Sequence, residues 1–205
     1  MATDRRDEIE AGIRAAFDAG DFAAAAQQIV LEYGPELLGF LISRTRNDAE
    51  ANEIFGVFCE DLWCGLEGFA WRSTARAWAY ALARHAHVRH SLAQNRRQKR
   101  NLPLSRTPEL EVLAQQVRTT TAIYRQTEVK NQMRALREQL PVEDQTILIL
   151  RIDKDLSWRD VATIMSGPDE SLTAEDIERE AARMRKRFQL AKESLRELAR
   201  EAGLL

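Results

Sequence analysis

The sequence predicts an all-α protein made of two small helical bundles joined by a linker, the second bundle a helix-turn-helix domain. Three observations carry that expectation. Only nine Gly and five Pro interrupt 205 residues, and the runs between them are rich in the strong helix formers Ala, Leu, Arg and Glu. Apolar residues recur at helical spacing in one segment after another. The periodicity fades between residues 101 and 126, which opens with two prolines (Pro103, Pro108) and holds the β-branched run Thr119, Thr120, Thr121. The expected units are residues 1–100, a linker at 101–126, and residues 127–205.

The elements follow in order. Residues 4–19 place Ile9, Ile13, Ala16 and Phe17 on one side of a helix, and Gly20 with Asp21 breaks it. Residues 22–45 continue with Val30, Tyr33, Leu37, Leu38 and Leu41, where Gly34 and Pro35 signal a kink or a new start. Asn47 and Asp48 give a cap signal, and residues 49–63 follow with Ile54, Phe55, Phe58, Leu62 and Trp63 at helical spacing. A loop over 64–73 leads to a long helix, 74 to about 100, for which Ser73 is the expected cap. In the second bundle, residues 127–139 read as a helix with Val129, Met133 and Leu136 inward. Pro141 suits the first turn of the next helix, 142–153. Residues 156–165 form a short helix capped by Ser157. Residues 167–171 form a turn. Thr173 and Asp176 then make a capping-box pattern that opens a helix running to about 201.

Charge is distributed unevenly. The net charge is only −2, yet residues 61–105 hold eight basic and two acidic side chains, and residues 181–205 hold seven basic and three acidic. Residues 1–60 and 141–180 are strongly acidic. Two separated basic helices on an otherwise acidic chain suggest two contacts with a polyanion. The bland alternative is a pair of solvated helix faces. Excluded classes are equally informative. The longest nearly uncharged apolar run, 22–31, is too short to span a membrane. The N-terminal MATDRRDEIE lacks a secretory signal, so the cytoplasm is the expected location. Cys59 and Cys64 make no disulfide framework. His85, His87 and His90 do not share a helical face, and there is no Gly-rich phosphate loop or hydrolase motif. The expectation is therefore no enzyme, no metal and no cofactor.

Two constellations point to nucleic acid. Phe69, Trp71 and Arg72 feed a helix that carries Arg76, Arg84 and Arg89. Rings offer stacking faces to unpaired bases and guanidinium groups neutralise phosphates. The competing reading keeps the rings in the core, where Trp78 and Leu82, four apart, are expected to pack. The second constellation is the short helix, turn and basic helix near the C-terminus, where Arg183, Arg185, Lys186 and Arg187 suit phosphates and guanine edges. Its first turns carry Glu175, Asp176, Glu178 and Glu180, which suit the helix dipole and repel DNA.

At these residues the chain resembles the extracytoplasmic-function type of bacterial RNA polymerase sigma factor, in the sigma-70 superfamily. The resemblance runs over residues 33–100 and 129–198. The stretch containing Asn52, Glu53, Ile54 and Phe55 is similar to the family's polymerase-docking helix. Residues 69–74 are similar to its strand-opening loop, and Trp78, Tyr80, Leu82, Ala83 and Arg84 to its tryptophan-led helix at the −10 element. Leu156, Ser157, Trp158, Asp160, Val161 and Ala162 resemble the entry to its −35-reading domain. Met184, Phe188, Ala191 and Leu195 match the apolar spacing of its last helix. Three positions depart from the pattern: Gly56 stands for a glutamine, His85 for an asparagine, and the final turn is about ten residues longer. The resemblance implies that core RNA polymerase and promoter DNA are partners, with an anti-sigma factor as a further one. It implies that Asn52, Glu53 and Phe55 meet polymerase. Phe69, Trp71, Arg72, Arg76, Arg84 and Arg89 would serve −10 contact and melting, and Arg183, Arg185, Lys186 and Arg187 the −35 duplex. Two alternatives remain open from the residues themselves: a stand-alone helix-turn-helix regulator, and a helical adaptor that binds a sigma or anti-sigma factor. The adaptor reading expects the loop at residues 69–71 to be buried.

Overall fold

A computed structural model describes residues 2–97, 135–167 and 172–204. Every regular element among them is helical. The chain divides into two compact units, Met1–Ile123 and Tyr124–Leu205. The expected linker, the helical positions before residue 135 and the turn at 168–171 lie outside the described residues.

The first unit contains α1 (Ala2–Asp18), α2 (Phe22–Thr45), α3 (Asp48–Gly65), a short 3-10 turn (Leu66–Gly68) and α4 (Ala75–Arg97). Local chemistry sets the starts. The Asp21 carboxylate accepts from the Ala24 amide and opens α2, and Asn47 accepts from the amides of Ala49 and Glu50 and opens α3. The helices then close over a shared core. Ile13 of α1, Ile29, Leu37, Leu38 and Leu41 of α2, Ile54, Phe55, Phe58 and Leu62 of α3, and Tyr80 of α4 are all fully buried. Each such side chain contributes about 1.5–3 kcal/mol relative to exposure.

Two expectations need correction here. Gly34 and Pro35 do not start a new helix: α2 runs through Pro35 without a break. The bond lost is the one Leu31 would have received, and Leu31 is exposed, whereas Val30, Tyr33, Leu37 and Leu38 around it are buried and hold the helix to its neighbours. Nor does Ser73 cap α4. Thr74 Oγ1 accepts from the Ala77 amide, and the two preceding amides are satisfied from α1. Glu10 Oε2 accepts from the Ala75 amide at 2.7 Å, Oε1 accepts from the Arg76 amide at 2.9 Å, and Oε1 also accepts from Tyr33 Oη at 2.7 Å. A carboxylate at a helix N-terminus is matched to both the unpaired amides and the dipole. Glu10→Ala is expected to cost about 2–3 kcal/mol, as the loss of charge-assisted capping bonds. Urea unfolding of the full chain measures it, and a loss below about 0.5 kcal/mol would show that α1 is held by its apolar face alone.

The second unit contains α5 (Val142–Leu148), which continues into a wider π turn (Ile149–Asp153), α6 (Trp158–Ser166) and α7 (Ala174–Glu201). Pro141 sits at the cap of α5 and leads into it. Ser157 accepts from the Asp160 amide at α6, and the expected capping box is present at α7. Gly167 ends α6 at φ 95°, where its amide returns to the Thr163 carbonyl. The core joins Leu136, Ile147, Leu148 and Leu150 to Leu156, Val161, Ala162 and Ile164, and to Ala181, Met184, Phe188, Ala191 and Leu195 of α7. Trp158 meets Phe188 edge-on at 5.2 Å, which ties α6 to α7. No helix among the described residues is long and apolar enough to cross a membrane.

Candidate nucleic-acid interface

In the first unit the aromatic loop sits between α1 and α4. Phe69 is 5 % exposed and stacks on Trp78 at 4.5 Å with an interplanar angle of 18°. Trp71 lies 4.9 Å from Phe69 and 5.5 Å from Phe17 of α1. The Arg14 guanidinium covers the Trp71 ring at 4.7 Å. Trp71 also carries a left-handed backbone, φ 56°, and its indole N–H is buried with no hydrogen-bond partner. Arg72, beside it, is exposed. Trp78 and Leu82 are buried as expected. Phe69, expected to face a base, is instead part of the wall behind Trp71, because its ring fills the gap between Phe17 and Trp78.

Of the three arginines expected near phosphates on α4, Arg76 is turned inward. Its guanidinium makes a paired contact with the Glu36 carboxylate of α2, Nε to Oε1 at 2.6 Å and Nη2 to Oε2 at 2.8 Å. Burial works against the charge, but Glu36 more than offsets it and holds the Arg76 pKa above the usual range. Arg76 therefore secures α2 to α4 and presents no charge to a ligand. Arg89 is half-exposed and pairs with Asp61 of α3. Arg84 is half-buried near Arg44 and His87.

Burial, reinforced by the charges of Arg44, His90 and Arg84, pushes the His87 pKa down from 6.5 to about 4. The folded chain thus favours neutral His87, while the unfolded chain takes up the proton first. Its contribution to stability is complete above pH 6.5 and is lost as the pH falls toward 4. Unfolding midpoints for wild type and His87→Gln across this range are expected to converge toward acid, because only the wild type loses that contribution. Parallel curves would contradict the assignment.

On α3 the three residues expected to meet polymerase are not equivalent. Glu53 is exposed, Asn52 half-buried, and Phe55 fully buried against Phe58 at 5.4 Å. Phe55 is thus a core residue, because its position repeats with Ile54, Phe58 and Leu62 on the inward side. Glu53 also approaches His90 Nε2 at 3.3 Å, and Glu50 approaches His90 Nδ1 at 3.5 Å.

In the second unit the four basic residues of α7 fan out around the helix. Successive positions are about 100° apart, so Arg183 and Lys186 share a face and Arg185 lies well round from both. Arg183, Arg185 and Lys186 are exposed, and Arg183 contacts Glu180 at 3.3 Å. Arg187 is turned back to the first turn of α5, where it pairs with Glu143 and Asp144. Of the four residues expected to form one cluster, Arg183, Arg185 and Lys186 are therefore exposed, and Arg187 holds α7 to α5. The residues between α6 and α7, 167–173, outnumber the three or four of an ordinary helix-turn-helix connection.

Sequence reading missed Glu10, Arg14, Glu36 and the carboxylates around His90. Their partners lie far along the chain, and no local spacing announces such contacts. Phe17 was visible as a position on the inward side of its helix, but not as a partner of the loop.

No protein-family model matches the chain, and no curated protein matches it. The helical order and the caps define the class of the fold, which is all-α. Among solved structures the chain is similar to the sigma factor RpoE, in a co-crystal structure with the anti-sigma factor NepR from Bartonella quintana. The TM-score is 0.49 and the identity 18 %, over 81 % of this chain and 95 % of that one.

Proposed function

We propose that this chain is an RNA polymerase sigma factor of the extracytoplasmic-function type. It binds core polymerase, directs it to promoters through −10 and −35 elements, and assists strand opening. The observation that carries this reading is the joint resemblance of two sequence blocks, in the right order and at a suitable separation. The geometry supports it in two places. An aromatic loop beside exposed Arg72 precedes a tryptophan-led helix. A long helix in the other unit presents Arg183, Arg185 and Lys186 outward. The overall charge of −2 fits a protein that depends on polymerase for most of its affinity for DNA. An anti-sigma factor is a further proposed partner, and the cytoplasm the proposed location.

One observation favours a second reading. Phe69 is buried and Trp71 packs on Phe17 of α1, part of what a helical adaptor would show, although Ala70 is exposed and Trp71 only half-buried. Promoter-selective transcription separates the two. The full chain is combined with cognate core polymerase and fragmented genomic DNA, and the transcript starts are sequenced. Starts behind a shared pair of motifs are expected. No specific starts, with a control sigma factor active on the same core, would reject the sigma-factor reading.

A further inference from the structure

The Trp71 ring is half-buried, and its neighbours cover much of it. Phe17 and Phe69 pack against it, and the Arg14 guanidinium lies over it at 4.7 Å. The wall and the cover differ in kind. Phe69 is buried and locked on Trp78. Arg14 is a long side chain, half-exposed, held from its own helix by Asp18, whose two carboxylate oxygens lie 2.9 and 2.8 Å from Nε. It can swing into water without moving α1.

Trp71 itself is poised for a change. A bulky residue at φ 56° is strained, and a buried indole N–H without an acceptor is costly. Strain of this sort clusters where a segment must rearrange to work. An unpaired nucleobase supplies a flat π face that can take the place of the cation over the Trp71 ring. A phosphate could not instead settle at the start of α4, because Glu10 already occupies that N-terminus. Exposed Arg72 lies beside Trp71, on the side where the phosphate of an incoming nucleotide would follow.

We propose that Arg14 occupies the seat of an unpaired nucleobase on Trp71, and that the base enters by displacing it. Arg14 is then a gate that closes the loop in the free protein and leaves the ring when the base arrives. This rests on the reading of Trp71 as a base-holding residue.

The test is binding of a fluorescein-labelled single-stranded oligodeoxynucleotide, and of its duplex, to the full chain at low salt, read by anisotropy. Removing a positive charge ordinarily weakens DNA binding. The gate predicts the opposite for one ligand. Arg14→Ala is expected to bind the single strand about two- to fivefold more tightly than wild type, the size of a cation–π contact removed. It is expected to gain nothing on the duplex. Adding Trp71→Ala is expected to abolish the gain. Equal or weaker single-strand binding by Arg14→Ala, an equal gain on duplex, or a gain that survives loss of Trp71 would each overturn the gate. The underlying reading is tested apart from it: Trp71→Ala on core polymerase should open a promoter poorly. Undiminished opening would remove the base-holding role whatever Arg14 does.

Discussion

Replacing Arg76 by alanine is expected to destabilise the first unit by about 3–5 kcal/mol, the usual consequence of removing one partner of a buried ion pair. The Arg76 side chain is 9 % exposed and that of Glu36 25 % exposed. Taking away the guanidinium leaves the carboxylate without the Arg76 counter-charge in a poorly hydrated place between α2 and α4. It also removes the cation from above Tyr80, at 5.7 Å. The penalty arises from the charge left without Arg76, so it should be recoverable. Combining Arg76→Met with Glu36→Leu is expected to restore most of the loss, since an apolar pair of similar volume needs no hydration. Thermal and urea unfolding of the two single variants and the double variant form the measurement. A loss below about 1 kcal/mol for Arg76→Ala would match a surface ion pair and would return Arg76 to the list of candidate phosphate ligands.

The second large effect is functional and follows from the fan of charges on α7. Arg183→Ala combined with Lys186→Ala is expected to reduce transcription that depends on a −35 element by about tenfold or more, from the 1–3 kcal/mol typical of a specific arginine contact. Binding to core polymerase should be unchanged. Arg187→Ala is expected to behave differently. It breaks the contact with Glu143 and Asp144 and lowers the stability of the second unit, with a smaller change in promoter use at temperatures where the unit stays folded. Matched transcription and unfolding measurements on both variants decide the matter. If Arg187→Ala lost promoter use as severely while keeping its stability, the reading face would have to be moved round the helix.

The sequence was informative wherever the cause of structure is local. Asn47, Ser157 and Thr173 each stand before a helix they do cap, because a cap needs only a side-chain oxygen and amides two or three residues ahead. The inward positions Met184, Phe188, Ala191 and Leu195 follow from helical period alone. Reading failed where a distant residue decides the outcome. Ser73 had the right chemistry for a cap, but Glu10 reaches the amides of α4 across the fold. Arg76 and Arg187 look like any surface arginine until Glu36 and Asp144 are brought alongside them. The candidate site was therefore legible as a set of loops and helices, and only partly as a set of exposed side chains. The new start expected at Pro35 failed for a related reason, since burial on both sides of it outweighs one missing hydrogen bond.

The closed box at the head of α7 has an evolutionary corollary. Thr173 accepts from the Asp176 amide, and Asp176 in return accepts from the Thr173 amide. The start of the helix is thus written into four consecutive residues and owes nothing to the length of chain before them. Insertions and deletions upstream of Thr173 can accumulate without shifting the register of Arg183, Arg185 and Lys186. A change in the length of the spacer ahead of α7 is thus expected to leave the phase of the charged face downstream intact.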